Sequence, residues 1–582
     1  MQYKHLITSK SEDNKYTNSF KKVYAGHWCV KKKLRKNDHI YDWNSNNNFK
    51  KNYKYLDKII NNYCNILSKR LNYLHNKNES SKYWEILLFP WLTYYIPAQF
   101  YRWKTITDIL KTNKKLHIIK SKIKDYEPVA DSLEFHESIT NSDYLNNIFF
   151  SRIINHLYEN KKFPNNFFKD KNFIQNNDIK KYRKIKINLK SKLSIRDILE
   201  KFLNIIKSKN NIFICEGLLS IKDLIKLNFL INENTIFSKK IFDKSAYLIK
   251  ISKLKVDKKF RERLPLKKKY KDNFLEFIDL HIMTDMPKNL LEGFELLDKM
   301  AKQIKISPKY IIVFYEHYHN ELFKFWIAQN FKSTKIIISS HGGATQQLPA
   351  HFGYESRIAN KKICFVNDDD CPPHKKVKLP FPRQINFIRK KPKLLIYSCY
   401  EPEYYPCRVG VSNNTYATNR NQHDLLSLQK NLKKNIFLNL RISKKDTNFR
   451  SLNNLNKLFN GSKNIKNVTF RNQLNSAKLV ICTYPQTSFI ESIASGPTVG
   501  LFNYEDWIPI KDKQKIYKKL IDNNIFFENS DELAYFINKK WDDIDIWWND
   551  LKRKKVISEF LNIFQKEKDY LHPWKNYLQK IK

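Results

Sequence analysis

The sequence reads as an α/β protein of two domains joined by a linker, and three observations lead there. From residue 308 onward, short apolar runs alternate with helical stretches, the pattern of a mainly parallel sheet. Glycine is scarce, 10 in 582 residues, and the only adjacent pair, Gly342-Gly343, follows His341 at the end of one such run. Further on, the run Lys478–Thr483 leads into Gln486-Thr487-Ser488, and Gly496-Pro497 closes the helix that starts there.

The first hundred residues open with a short strand at His5–Thr8 and a turn at Gly26-His27-Trp28-Cys29. A long helical pattern from Asn52 to Leu74 and an aromatic stretch from Tyr83 to Trp103 follow. Between about 104 and 290 the text is rich in Lys and Asn, and it is expected to form a helical insertion with one strand at Ile212–Cys215. Strands are then expected at Tyr310–Phe314, Thr334–Ser339 and Lys362–Val366, with helices over His319–Phe331 and Gln346–Lys361. Residues 1–366 are thus expected to form an N-terminal α/β domain. The stretch 367–392 carries five prolines, three consecutive aspartates and no periodicity, which predicts a linker. The second domain, 393–582, has expected strands at Lys393–Ser398, Asn435–Leu440, Asn467–Phe470, Lys478–Thr483 and Thr498–Phe502, and a helical, Trp-rich tail.

At 582 residues with 42% hydrophobic and 14% aromatic content, the chain can bury sizeable cores. Its net charge of +50 invites a nucleic-acid reading, which the residue types oppose. Only 17 of the 107 basic residues are Arg; the rest are Lys, spread along a chain equally heavy in Asn and Ile. Nucleic-acid readers concentrate Arg, Gly and aromatics in one patch. A basic surface suits anionic substrates or peripheral contact with an anionic membrane. The eight cysteines form no Cys-x-x-Cys pair and mostly sit in apolar runs, the pattern of reduced, buried thiols. The opening Met1–Ile7 lacks the apolar core of a signal peptide, and Leu87–Tyr101 holds two prolines and is too short to span a bilayer. A cytoplasmic protein, free or peripheral at the inner face of the plasma membrane, is expected.

Two segments carry chemistry. A strand, a Gly-containing turn and a helix present free N–H groups and the positive end of a helix dipole, so His341-Gly342-Gly343 marks a place for a phosphate-bearing ligand. Thr483, Gln486, Thr487 and Ser488 sit at the corresponding point of the second domain, where hydroxyls and N–H groups can hold an anion. Glu491, one turn after Thr487, can accept from a ribose diol; the alternative is a capped structural helix with a solvated carboxylate. His341 can serve as a general base or bind a donor phosphate, or else it orders its own turn. Glu316, after strand 310–314, reaches the cleft edge, and His27 is a candidate for acceptor contact. Arg408 and Arg441 follow strands of the second domain and can clamp a phosphate or form surface ion pairs. His317-x-His319 lacks an evident third ligand, so no metal site is assigned.

The series His5–Thr8, Gly26–Cys29, Tyr53–Leu56, Leu71–His75, Tyr83–Leu87, Pro90–Leu92, His341–Gly343, Thr483–Tyr484, Thr487–Glu491 and Trp541–Trp548 resembles the LIC12162 family of transferases, associated with bacterial surface-polysaccharide loci. The strand–Thr-x-x-x-Thr-Ser-x-x-Glu–helix–Gly-Pro–strand segment resembles the nucleotide-sugar half of GT-B glycosyltransferases. The resemblance implies two Rossmann-like domains with a cleft between them. It also implies transfer of a sugar from a nucleotide-activated donor to a glycan or lipid-linked acceptor, with no metal or other cofactor. A CDP-glycerol or ribitol type phosphotransferase of the same fold is the enzymatic alternative, and a basic nucleic-acid-associated protein the non-enzymatic one. The chain departs from the family at Ala344-Thr345, where members carry Tyr-Gly, and at Ala359-Asn360, where they carry Asp.

Overall fold

The computed structural model describes residues 4–581 except 16–20, 31–37, 42–48, 114–115, 122–125, 161–166, 172–209, 216–218, 232–233, 237–240, 263–271, 341–349, 366–370, 383–388, 390–391, 400–413, 443–468, 504–510 and 564–568. Its strands make three sheets, and every pairing among the described residues is parallel. The expected α/β class holds, with one more sheet than the two expected.

The first sheet has the order β3-β2-β1-β4-β5, from Lys4–Ile7 (β1), Lys21–Tyr24 (β2), His39–Ile40 (β3), Leu116–Ser121 (β4) and Phe167–Lys171 (β5). The second has the order β11-β10-β9-β8-β6-β7. Its members are Asn210–Ile214 (β6), Asn234–Ile236 (β7), Tyr310–Val313 (β8), Lys335–Ser339 (β9), Lys361–Cys364 (β10) and Lys376–Lys378 (β11). The third has the order β13-β12-β14-β15-β16, from Leu394–Cys399 (β12), Leu438–Ile442 (β13), Ala477–Cys482 (β14), Thr498–Leu501 (β15) and Phe526–Phe527 (β16).

The stretch expected to be a helical insertion therefore supplies β4, β5, β6 and β7. β6 is the strand expected at Ile212–Cys215, displaced by one or two residues, whereas β4, β5 and β7 carry Lys, His and Asn at positions that a purely apolar pattern would fill with aliphatics, which hides them. The strand expected at Asn467–Phe470 is also corrected in its described part. Thr469 caps a short helix, Phe470–Asn475, by accepting from Asn472 N.

Parallel sheets must be covered on both faces. In the second sheet the residue alternation shows how this is done. Phe213, Ile311, Val313, Ile336 and Ile338 join a core shared with the first sheet, whereas Ile212, Ile214, Ile312, Phe314, Ile337 and Ile363 face a separate cluster. The shared core is built around the helix Ser81–Thr112, buried on nearly all sides from Tyr83 to Ile106 despite Pro90 and Pro97 inside it. The other face is closed by the helix Ile221–Ile231 and by the last helix of the chain, Leu571–Lys580, which delivers Trp574 and Leu578. Trp574 Nε1 donates to Pro380 O at 3.0 Å, so the chain end returns to the second sheet. Trp547 and Trp548 pack instead in the third sheet's own core.

The stretch read as a linker contributes structure at both ends. Lys376–Lys378 extends the second sheet beside β10. Arg389 is buried beside the third sheet, its guanidinium donating to Ala477 O, Ser492 O, Pro497 O, Ser495 Oγ and Thr498 Oγ1 at 2.8–3.3 Å. These oxygens belong to β14, to the last turn of the helix Thr487–Ser495, and to the start of β15, so one cation ties the three together at the negative end of the helix dipole. Gly496 follows from this arrangement. Its φ is +155°, and a Cβ there would lie 2.9 Å from Arg389 Nε. Replacing Arg389 with Met strands five buried acceptors and is expected to destabilise the protein around the third sheet by about 3 kcal/mol, read from denaturant midpoints. A change under about 0.5 kcal/mol would contradict this role.

Candidate functional site

In open parallel sheets, ligands bind beyond the carboxyl ends of the strands, where the strand order reverses. The reversal lies between β1 and β4 in the first sheet, β6 and β8 in the second, and β12 and β14 in the third.

At the third sheet, Ser398 of β12 is flanked in register by Arg441 of β13 and Cys482 of β14. Thr483 follows immediately; its N–H donates to Ser398 O at 3.2 Å, and its hydroxyl is buried with no hydrogen-bond partner. The helix Thr487–Ser495 then begins with Gln486 as N-cap, whose side chain makes no capping bond, and with no acidic residue in the first turn. Most other long helices carry such a cap, for example Ser80, Asp131, Ser142 and Asn320. Tyr484 and Ser488 share a hydroxyl hydrogen bond of 2.8 Å, which fixes the turn. Arg441 is half-buried, bonded to Gln473 Oε1 and lying 4.7 Å over the Phe470 ring. Burial lowers its pKa, and the nearby Tyr484 and Glu491 oppose that shift. Arg441, Thr483, Ser488 and Glu491 therefore come together around one helix start whose outward N–H groups suit an anion.

At the second sheet, Glu316 stands just after β8 across from Cys215 of β6; burial, then the Glu316 charge, pushes the Cys215 thiol up. His317 is fully buried with neither ring nitrogen hydrogen-bonded, and its Nε2 lies 3.5 Å from Glu355 Oε1. Lys362 Nζ is 3.1 Å from Glu355 Oε2. Burial favours the neutral acid, but Lys362 and His317 outweigh it and hold Glu355 well below the usual carboxylate range. Sequence reasoning missed this trio because its members lie 7–45 positions apart on a short helix, a second helix and β10, with no shared motif. Ser340 closes β9, with its hydroxyl buried and unpaired. Asn360, one of the departures from the family pattern, pairs with Ile336 through both its N–H and its side-chain oxygen, at 2.8 Å each, and so secures β9.

At the first sheet the equivalent donors are already used. Glu12 Oε2 accepts from Thr8 N at 2.6 Å, Thr8 Oγ1 at 2.9 Å and Ser9 N at 3.2 Å. An internal carboxylate thus fills the place an anion would take. Alongside, His5 and His117 face each other across β1 and β4 with their Nδ1 atoms 2.8 Å apart. Burial, His117 and Lys22 push His5 down to about 4. His27 opens a short 3-10 turn after β2, and a Cβ on Gly26 would meet the Trp28 ring at 2.3 Å, so this glycine makes room for the indole.

Of the site residues expected from sequence, Arg441, Thr483, Gln486, Thr487, Ser488 and Glu491 are gathered at one edge. Glu316 and His27 stand at the edges of the two other sheets. His341, Gly342, Gly343 and Arg408 lie outside the described residues. Among the described residues no three His, Cys, Asp or Glu side chains converge as metal ligands, and no helix is long and apolar enough to cross a membrane.

Three doubly wound parallel sheets, one with an uncapped, cation-flanked helix start at its reversal point, define an α/β protein built to hold ligands at sheet edges. The chain belongs to the LIC12162 family of transferases, whose profile matches residues 4–578. No curated protein matches it. Among solved structures, that of Acinetobacter baumannii MurG aligns with a TM-score of 0.30 and 12% identity, covering 64% of this chain and 100% of that one.

Because the Thr483 hydroxyl is buried without a partner, Thr483→Val is expected to leave the ligand-free protein as stable or about 1 kcal/mol more stable in chemical denaturation. A loss of 1 kcal/mol or more, as a bonded hydroxyl would give, contradicts the assignment.

Proposed function

We propose that this transferase moves a glycosyl group from a nucleotide-activated sugar to a glycan or lipid-linked acceptor, as a GT-B-like enzyme. The observation that carries the reading is the unpaired, buried Thr483 hydroxyl in front of the uncapped helix Thr487–Ser495, with Arg441 beside it. In this reading the donor's diphosphate lies against the start of that helix, within reach of Ser488 and Arg441, and Glu491 takes the ribose diol.

The chemistry is a substitution at the anomeric carbon. The acceptor hydroxyl oxygen bonds to that carbon as the bond from carbon to phosphate oxygen breaks. The electron pair leaves on the nucleotide, where the helix N–H groups and Arg441 stabilise the new charge. The proton passes to a base, a role assigned to His341, which follows Ser340 at the end of β9; Glu316 and His27 are assigned to the acceptor side.

A thermal-shift panel of CMP, CDP, UDP and GDP, with their sugar conjugates and with CDP-glycerol, tests the donor site. At least one nucleotide is expected to raise the melting temperature of the wild type, and Glu491→Ala or Arg441→Ala to weaken that response at least tenfold in apparent affinity. If no nucleotide stabilises the protein, or if both variants respond like wild type, the donor-site assignment fails. Stabilisation by CDP-glycerol in preference to every sugar conjugate replaces the glycosyl donor with an alditol phosphate.

A further inference from the structure

We infer that the flank of the third sheet formed by the helices Asn414–Asn431 and Ser530–Lys540, with the loop that leads into β13, docks on an anionic membrane surface. The two helices pack side by side, and polar bonds fix their register. Asn431 Nδ2 donates to Asp531 Oδ1 at 2.8 Å, Lys433 N to Asn538 Oδ1 at 2.8 Å, and Asn538 Nδ2 to Asn431 O at 2.8 Å. On this flank three large apolar side chains are left in water: Leu426 at 44%, Tyr535 at 69% and Phe437 at 76% exposure.

Around them stand four exposed lysines, Lys430, Lys433, Lys434 and Lys539. The acids on this flank are Asp424, buried and paired with Arg420, Glu528 just before the second helix, Asp531 and Glu532 at its start, and Asp542 and Asp543 beyond its end. Asp531 is already engaged by Ser427 and Asn431. Two exposed aromatic side chains and a leucine on a flank that also carries four exposed lysines match the chemistry of a bilayer interface, where rings sit at headgroup level and ammonium groups meet lipid phosphates.

The same chemistry disfavours other occupants. A second copy seated face to face would set these lysines against their own counterparts. Arg420 on the first helix is largely buried and tied to Asp424 and to Glu528 O, so the exposed cations here are ammonium groups and not the guanidinium that nucleic-acid surfaces favour. The flank also lies away from the start of the helix Thr487–Ser495: Phe437 precedes β13 at the amino end of the sheet, and the candidate donor edge is at the carboxyl end. Docking therefore leaves that edge open, and it stands or falls independently of the proposed donor.

Co-sedimentation of the full chain with vesicles of phosphatidylcholine alone, or with about 30% phosphatidylglycerol, at about 0.15 M salt tests this. Binding is expected only to the anionic vesicles. Each lysine removed is expected to weaken it about fivefold, so K430A/K433A/K434A/K539A together lose on the order of several hundredfold. Phe437→Ser with Tyr535→Ser is expected to weaken binding at least tenfold with the charge intact. The control K51A/K54A/K58A/K69A removes the same charge from exposed positions of the helix Phe49–Leu74 and is expected to change binding less than threefold. Absence of wild-type binding to anionic vesicles overturns the inference, as does equal loss in the control. So does tight binding to random-sequence DNA that the same four lysines abolish, which would make the patch a nucleic-acid surface. Unchanged melting temperatures of the variants, expected for exposed positions, exclude misfolding as the cause.

Discussion

All-parallel pairing is the constraint on which the rest of this structure depends. Parallel strands need a crossover after each strand, and the crossovers bury both faces of every sheet. They also collect the strand ends, helix starts and unpaired N–H groups at one edge of each sheet. The described residues form three such edges, and the side chains at them decide what each can do. Glu12 closes the first with an internal carboxylate. At the second, Glu355 and Lys362 surround a buried histidine. Among the described residues, the third alone combines an uncapped helix start, a buried unpaired hydroxyl and a half-buried arginine.

The third edge is held in place from behind. Arg389 binds the far end of the helix Thr487–Ser495 and the roots of β14 and β15, so the start of that helix is positioned by a cation at its finish. Burial pushes this guanidinium down to about 9, and it stays charged at neutral pH because five oxygens surround it. The helix Leu571–Lys580 performs a comparable task for the second sheet, where Trp574 and Leu578 join the helix Ile221–Ile231 in closing one face. Each of these supports comes from a segment remote in sequence from what it stabilises.

That remoteness explains what the sequence made legible. β8, β9, β12, β14 and β15 were readable because each is an uninterrupted apolar run bounded by turn residues, and the helix start at Thr487 follows from Thr-Ser after such a run. Most of the first sheet was not readable. Its strands are short and carry Lys4, Lys21, Lys22, His39 and His117, charges and imidazoles that partners such as Asp13 and His5 accommodate only in the fold. Five prolines made 367–392 look like a spacer, yet β11 and the Arg389 anchor lie inside it; pairing with β10 and with oxygens 88–109 positions away cannot be read from local composition. Gly496 was recognised as a helix terminator, and the structure adds the reason that no Cβ fits there against Arg389.

The account's central claim is that the donor nucleotide enters at the third of the three edges. Hydrogen–deuterium exchange of the full chain, with and without saturating CDP, UDP or GDP, tests it most directly, because it compares all three edges in one measurement. The account predicts slowed exchange concentrated in residues 483–495 with at least one nucleotide, and little change at residues 8–15 or 315–320. Protection at either of the other two edges, with none at 483–495, would contradict it.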